Sequence, residues 1–275
     1  MDEIEYGPLT LREYETCDLM EGGTAYKITA CQEDVTRIEI PVAVNGIPVT
    51  CIGDRAFAGC RALTEVVFPD DEDRLDYEYF PVEIGGNAFM NCTALREMDL
   101  PDYVAVIGHG AFYGCTALER ITIPDEKHCY IAPRAFSDCR SLREVTPLSE
   151  LNDGIFSGCA SLTALPITEE VTEFPEDCFE HCDGLVELTI PRHVTTIVSE
   201  AFSGCYNLKT VTFEDPEEWY ASNRYSFFEG KHFLLDLSDP ERNAHDLAYM
   251  DFDDGVIAWQ KKTERAKEAE EDAEE

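Results

Sequence analysis

A repeated motif restricts the fold of this chain more than any other feature. Phenylalanine recurs with one interval of 32 residues and the others between 20 and 24, at Phe57, Phe89, Phe112, Phe136, Phe156, Phe179 and Phe202. Each Phe is followed by Cys three residues later, by Leu after three more, and by another apolar residue after a further three. A unit this short cannot bury its apolar side alone, so the copies must stack, and the sequence predicts a solenoid.

The most regular copy is IGHGAFYGCTALERITIPD, residues 107–125. Its LERITI segment alternates apolar and polar residues before a proline, which predicts a short strand. The AFYGC segment favours one helical or 3₁₀ turn. With the similar VTRIEIP segment, the pattern predicts one parallel sheet of about eight strands at residues 35–40, 63–68, 95–100, 118–123, 142–147, 162–167, 185–190 and 208–213.

The residue before each repeated Cys is Gly, Asn, Asp or His, the residue types that best tolerate a positive backbone φ angle. These residues are Gly59, Asn91, Gly114, Asp138, Gly158, His181 and Gly204. We therefore expect a left-handed backbone at this position of every coil.

The run IGxxAFxxCxxLxxVxIP resembles the BspA-type leucine-rich repeat, a bacterial variant with about 23 residues per coil. The segment ITACQEDVTRIEIPVAVNGIPVTCIGDRAF, residues 28–57, resembles the opening coil of such proteins. The resemblance covers about residues 26–213. It departs at an insertion of about nine residues around DDEDRLDYEYF and at VTPLSELNDG. It implies a right-handed α/β solenoid that binds proteins, often on cell surfaces, and it implies no catalytic residues.

The ends of the chain differ from the repeats. Residues 1–34 are expected to form an N-terminal cap and residues 35–213 the leucine-rich-repeat solenoid. Residues 214–260 are rich in aromatic side chains, as expected of a cap for an open solenoid end. Residues 261–275 form a charged tail.

Charge excludes several classes of partner. With 57 acidic and 21 basic residues the net charge is −36, so neither nucleic acid nor an anionic membrane surface is an expected partner. The acidic N-terminus does not resemble a signal peptide, and no apolar run reaches the roughly 20 residues of a membrane span. We expect a cytoplasmic protein. A cell-surface location is the alternative if an upstream signal is missing from this chain.

The residues give little support for catalysis or cofactor binding. Seven of the twelve cysteines lie at the repeat position, where buried free thiols are expected rather than a disulfide framework. Cys178, His181 and Cys182 have metal-like spacing, but their repeat positions explain all three. No catalytic, cofactor-binding or metal-binding residue is predicted. An enzyme or metal site within residues 214–260 remains the alternative.

The outward side of the predicted strands is the expected binding surface. One outward column contains mostly Glu, whose parallel like charges repel unless a partner compensates them, and the next contains several Thr. Ordinary acidic surface and the preference of Thr for exposed strands are the competing explanations. The prediction is a protein partner of basic character, whose candidate contacts are Glu65, Glu97, Asp99, Arg120, Thr122, Glu144, Thr146, Glu187, Thr189, Tyr77 and Tyr79. A surface adhesin is the alternative within the binding class.

Overall fold

A computed structural model describes residues 3–16, 23–70, 81–124, 129–223, 233–249 and 256–261. The chain folds as a solenoid of parallel strands with about eight turns and very little helix, as predicted. It divides into two compact units. Unit 1 comprises Met1–Thr146 with Gly158–Ser161, and unit 2 comprises Pro147–Ser157 with Leu162–Glu275. The predicted domain boundaries at residues 34, 213 and 260 stay predictions.

The described elements are short. In chain order they are β1 (Glu3–Tyr6), β2 (Leu9–Thr16), β3 (Gly23–Cys31), β4 (Arg37–Glu39), β5 (Ala43–Val44), β6 (Ile47–Ile52), β7 (Glu65–Val67), β8 (Val82–Ile84), β9 (Glu97–Asp99), β10 (Val104–Ile107), β11 (Arg120–Thr122), β12 (Tyr130–Ile131), β13 (Glu144–Val145), β14 (Glu173–Phe174), β15 (Glu187–Ile190), β16 (Thr196–Val198), β17 (Thr210–Phe213), β18 (Trp219–Asn223), β19 (Phe233–Leu234), α1 (Pro240–Ala248) and β20 (Val256–Lys261).

The strands of the repeated LxxVxI segment pair in parallel, but they do not form one continuous sheet. In unit 1, β4 pairs with β7, and β9, β11 and β13 form a separate three-stranded sheet. In unit 2, β15 pairs with β17, and the segment at 162–167 contributes only a single bridge, between Leu148 and Ile167. The prediction of an unbroken eight-stranded sheet was therefore wrong. The interruptions follow the two places where the repeat itself is irregular, the insertion and the VTPLSELNDG segment.

Unit 1 has a second parallel sheet, which the sequence analysis did not predict. The strands β3, β6, β8, β10 and β12 pair in parallel in that order. Apart from β3, they come from the segment that precedes a Phe motif, such as VAVI in β10. The antiparallel strands β1 and β2 extend this sheet beyond β3 and so cover its first coil.

The turn that contains each Phe is short, as the sequence predicts. It carries successive hydrogen bonds from residue i+3 to residue i, such as Cys60 N–H to the Phe57 carbonyl, but no described turn continues into a helix or 3₁₀ segment. The predicted left-handed residue before Cys is confirmed in all seven coils, with φ between 53° and 82°. A second left-handed residue, which was not predicted, lies two residues before each Phe. These two reversals prevent a helix, since a helix needs consecutive right-handed residues.

The interior is formed by stacked Phe rings and Cys side chains. In unit 1 the Phe57, Phe89 and Phe112 rings stack with centroids 4.9 and 5.3 Å apart. In unit 2 the rings of Phe179 and Phe202 stack at 5.4 Å. Each pair of this kind contributes roughly 0.5–1.5 kcal/mol beyond its buried area. The repeated Cys side chains are at most 1% exposed, so their predicted burial is confirmed.

The thiols also have a hydrogen-bonding role. Cys115 Sγ donates to the Phe89 carbonyl at 3.1 Å, and Cys139 Sγ to the Phe112 carbonyl at 3.2 Å. The same Phe carbonyls accept a backbone N–H from their own coil. In unit 2, Cys205 Sγ donates to the Phe179 carbonyl at 3.1 Å. A small apolar side chain with a weak donor therefore fits this position better than Ala or Val.

The C-terminal elements of unit 2 cover its last coil. Strand β20 pairs antiparallel with β16 and with β18, and α1 packs against β17. The side chain of Asn243 in α1 donates to the carbonyls of Val211 and Leu237 at 3.0 and 3.1 Å. The Gly204 N–H donates to the Ala248 carbonyl at 2.9 Å. These contacts satisfy backbone groups that a further coil would otherwise pair.

Candidate functional site

The exposed side chains of β7, β9, β11 and β13 form a surface of unit 1 that we call the strand face. Side chains alternate across these strands, so Met98 and Ile121 point inward and are 1% exposed. Their neighbours Glu97, Asp99 and Thr122 point outward and are exposed. Cross-strand pairing places Arg120 beside Glu97 on one side and Glu144 on the other, as the repeat spacing predicts.

A polar cluster centred on Arg120 lies in the middle of the strand face. The guanidinium contacts Glu97 Oε2 at 3.0 Å and Asp99 Oδ1 at 2.7 Å. It also donates to Thr122 Oγ1 at 2.9 Å, and Thr122 Oγ1 donates to Asp99 Oδ1 at 2.7 Å. The hydrogen bond from Arg120, followed by that from Thr122, lowers the pKa of the Asp99 carboxyl. The same carboxylates raise the pKa of Arg120. The cluster holds the side chains of two adjacent coils in one arrangement.

The predicted like-charge repulsion along the Glu column is wrong for two of its members. Glu97 is paired with Arg120, and Glu65 Oε2 lies 3.1 Å from Nε of Arg37 on the neighbouring strand. Changing Glu97 to Lys therefore removes an ion pair and does not relieve repulsion. Glu144 is exposed and lies opposite Arg120 in register, although no ion pair joins the two among the described contacts.

The other predicted contact residues have different environments. Thr146 is half-buried, and its Oγ1 accepts the Ile123 N–H at 3.0 Å, so this side chain supports the backbone of the neighbouring coil. In unit 2, Glu187 and Thr189 are exposed on β15, and Thr189 Oγ1 lies 3.0 Å from Thr212 Oγ1. Tyr77 and Tyr79 lie outside the described residues.

A groove that sequence reasoning missed opens on the strand face between β7 and β9. It has a volume of about 880 Å³. Its lining residues are Thr64, Glu65, Val66, Val67, Phe68, Pro69, Asp70, Arg96, Glu97, Asp99, Leu100, Pro101 and Asp102. The interval of 32 residues between Phe57 and Phe89 is the only sequence signal of this groove, because it shows where two successive coils are not equivalent.

The metal-like spacing of Cys178, His181 and Cys182 does not produce one site. The thiols of Cys178 and Cys182 are buried and donate to the carbonyls of Ala201 and Phe156 respectively. His181 is exposed and has the left-handed backbone of its repeat position, with φ of 53°. Among the described residues, the half-buried side chains of Glu176, Asp177 and Glu200 have carboxylate oxygens within 4.8 Å of one another.

Comparison with known protein families identifies the family of the repeat. Residues 30–82, 80–185 and 130–232 match the BspA type Leucine rich repeat region, in six copies. This chain belongs to the BspA-type leucine-rich repeat family. Repeats of this family generally serve as non-enzymatic scaffolds for protein interaction. No curated protein sequence matches the chain. The described residues include no helix with the length and apolar character needed to cross a membrane.

Several solved structures of bacterial leucine-rich repeat proteins are similar. A leucine rich cell surface protein from Faecalibacterium prausnitzii is 28% identical, with 80% of this chain and 56% of that chain covered and a TM-score of 0.47. A leucine-rich repeat protein from Bacteroides ovatus is 25% identical, with 79% and 65% covered and a TM-score of 0.47. The leucine rich repeat protein of T. pallidum is 22% identical, with 78% of this chain and 84% of that chain covered and a TM-score of 0.45. This chain thus spans less than two thirds of the first and second of these proteins.

Proposed function

We propose that this chain is a non-enzymatic scaffold that binds a basic partner protein through its strand face. The observation that supports the proposal is the Arg120 cluster with its surrounding carboxylates, which forms an ordered, exposed and mainly acidic surface on a tightly packed interior. Because the underlying coils are held by stacked Phe rings, the surface is arranged before the partner arrives. A preorganised surface loses less entropy on binding.

Charge favours a basic partner. Arg120 neutralises only part of the charge of Glu97, Asp99 and Glu144, and the whole chain carries −36. Such a surface attracts positive groups, speeds their approach at low salt and discriminates against acidic proteins. The equivalent surface of unit 2, with Glu187 and Thr189, is proposed as a second contact region for the same class of partner.

The test compares partner capture by two charge-reversed variants. Glu97→Lys with Glu144→Lys should weaken capture of the partner from native-cell extract, and the loss should be largest at low salt. The control, Glu13→Lys with Glu83→Lys, changes the net charge equally at exposed positions of the second sheet of unit 1. The proposal is wrong if both variants capture the partner as the wild type does, or if both lose it equally.

The cellular location of the protein and the alternative of an enzyme or metal site are tested separately. Fractionation of the native cell distinguishes the predicted cytoplasmic scaffold from a cell-surface adhesin. Metal analysis of the purified protein, together with activity screening of variants in residues 214–260, tests the alternative of an enzyme or metal site there.

A further inference from the structure

The groove between β7 and β9 coincides with a break in backbone pairing. Among the described strands, β7 pairs only with β4, and β9 pairs only with β11. No backbone hydrogen bond joins residues 64–68 to residues 96–100, whereas the following coils are joined by bonds such as Glu119 N–H to the Arg96 carbonyl. In the second sheet of unit 1, β6 and β8 still pair across the same two coils. The break is therefore local to the strand face.

The break exposes apolar side chains whose counterparts in the next coil are buried. Val66 and Phe68 are half-buried, whereas Met98 and Leu100, one coil later, are 1% and 5% exposed. Val67 also lines the groove. One end of the groove is held by a hydrogen bond from Tyr103 Oη to the Pro69 carbonyl at 2.6 Å. The groove thus has a partly apolar floor bordered by more numerous polar groups, and its volume lies in the range of about 300–1,000 Å³ that is typical of binding pockets.

The rim of the groove is acidic. Glu65, Glu97 and Asp99 lie along its sides, and the exposed residues Asp70 and Asp102 lie at one end, against a single lining cation, Arg96. Arg37 and Arg120 offset part of this charge from outside the groove. An apolar floor with an acidic rim fits an extended segment in which apolar side chains alternate with Lys or Arg, because successive side chains of an extended chain point in opposite directions.

We infer that this groove holds an extended, basic segment of the partner protein, with its apolar side chains on Val66, Val67 and Phe68 and its cations on the acidic rim. This inference rests on the proposed function. It assigns to the groove the most specific part of the contact between the strand face and the partner protein. A second copy of this chain does not fit as the occupant, because its net charge is also −36 and the rim would repel it.

The test uses two fluorescent octapeptides, one of alternating lysine and leucine and one of lysine alone, in anisotropy titrations. The alternating peptide should bind the wild type at least tenfold more tightly than octalysine, although octalysine carries more charge. Val67→Arg should reduce binding of the alternating peptide at least tenfold, because it places a cation in the groove. Tyr130→Arg is the control, since it places the same side chain at an exposed strand position of the second sheet of unit 1, away from the strand face, and it should bind as the wild type does.

A second variant keeps the test informative if Val67→Arg folds poorly. Asp70→Lys with Asp102→Lys changes only exposed rim residues and should weaken the alternating peptide at low salt. The inference is overturned if octalysine binds as tightly as the alternating peptide, or if the folded groove variants bind like the wild type. It is also overturned if the wild type self-associates through this groove and Val67→Arg does not. The capture experiment with Glu144→Lys alone, outside the groove, tests the proposed function separately.

Discussion

At the scale of single residues, the left-handed position before each Cys alternates between Gly and a larger residue. A Cβ at Gly114 would overlap Asn91 Oδ1, and a Cβ at Gly158 would lie 3.0 Å from Asp138 Oδ1. At Gly59 no atom lies within 4 Å of a built Cβ. The side chain of one coil therefore covers the glycine of the next, and two large residues cannot follow each other without a shift.

This alternation predicts a difference between two equivalent substitutions. Gly59→Ala and Gly114→Ala both place Ala at a positive φ, 82° and 71°, and each should cost roughly 1–2 kcal/mol for that reason. Gly114→Ala should cost about 1 kcal/mol more because the Asn91 side chain must move. Urea unfolding of both variants measures the difference. Adding Asn91→Gly should remove the excess, and equal stabilities of Gly59→Ala and Gly114→Ala would contradict this account.

The thiol column gives a second prediction at this scale. In a variant with Cys17→Ser and Cys31→Ser, the remaining ten thiols should react with a thiol reagent only after unfolding, because they are buried in the described coils. Burial also raises the pKa of Cys205 to about 12, which leaves little thiolate at neutral pH. Rapid labelling of Cys115 or Cys205 in the folded protein would show that the column faces outward. Their reduced state in the cell stays a prediction.

The sequence predictions were correct at positions where the residue type itself indicates the backbone conformation or the burial. Glycine, Asn, Asp and His mark the left-handed position, and a Cys that recurs in register marks the interior. It could not predict that Arg134 and Glu200 also have positive φ, since these types carry no such preference and the neighbouring coils impose it. The hydrogen bonds of the thiols to Phe carbonyls of the preceding coil depend on stacking geometry, which no single repeat contains.

At the scale of elements, the second parallel sheet of unit 1 was missed for a physical reason. The sequence of β10, VAVI, does not alternate apolar and polar residues. Its first and last side chains are buried and the middle two are half-buried. Two-residue strands such as β12 have no pattern at all. These segments become strands because the coils stack and bring their backbones into register. The LxxVxI strands were predicted because they alternate, and their continuity failed where the insertion separates β7 from β9.

The contact between α1 and the last coil predicts the effect of one substitution. Asn243→Ala removes both side-chain hydrogen bonds to the Val211 and Leu237 carbonyls in a buried site and should cost roughly 1–3 kcal/mol. Asn207→Ala is the control, because Asn207 donates to the Asp183 carbonyl at an exposed position and should cost less than about 1 kcal/mol. Thermal unfolding of the two variants measures this, and equal midpoints would argue against α1 as a structural cap.

At the scale of the whole molecule, different residues form the packed interior and the exposed strand face. Stacked Phe and Cys side chains stabilise the coils, and the outward positions of the strands are then free to carry charge and polar groups. The sequence predicted that Glu97, Asp99 and Thr122 point outward, as they do, but not that Arg37 and Arg120 pair with Glu65 and Glu97. Arginine pairing depends on which long side chains reach each other across coils, and repeat spacing alone does not determine it.

The central claim is that the strand face is where the partner binds, and site-specific photo-crosslinking tests it most directly. A benzophenone side chain is placed at Thr122, exposed on β11, or at Tyr113, exposed in the turn of the same coil. After irradiation in the native cell, the account predicts a crosslinked partner from position 122 that is lost in the Glu97→Lys, Glu144→Lys background, and no such product from position 113. A partner that crosslinks only from position 113, or equally from both positions, would contradict the account.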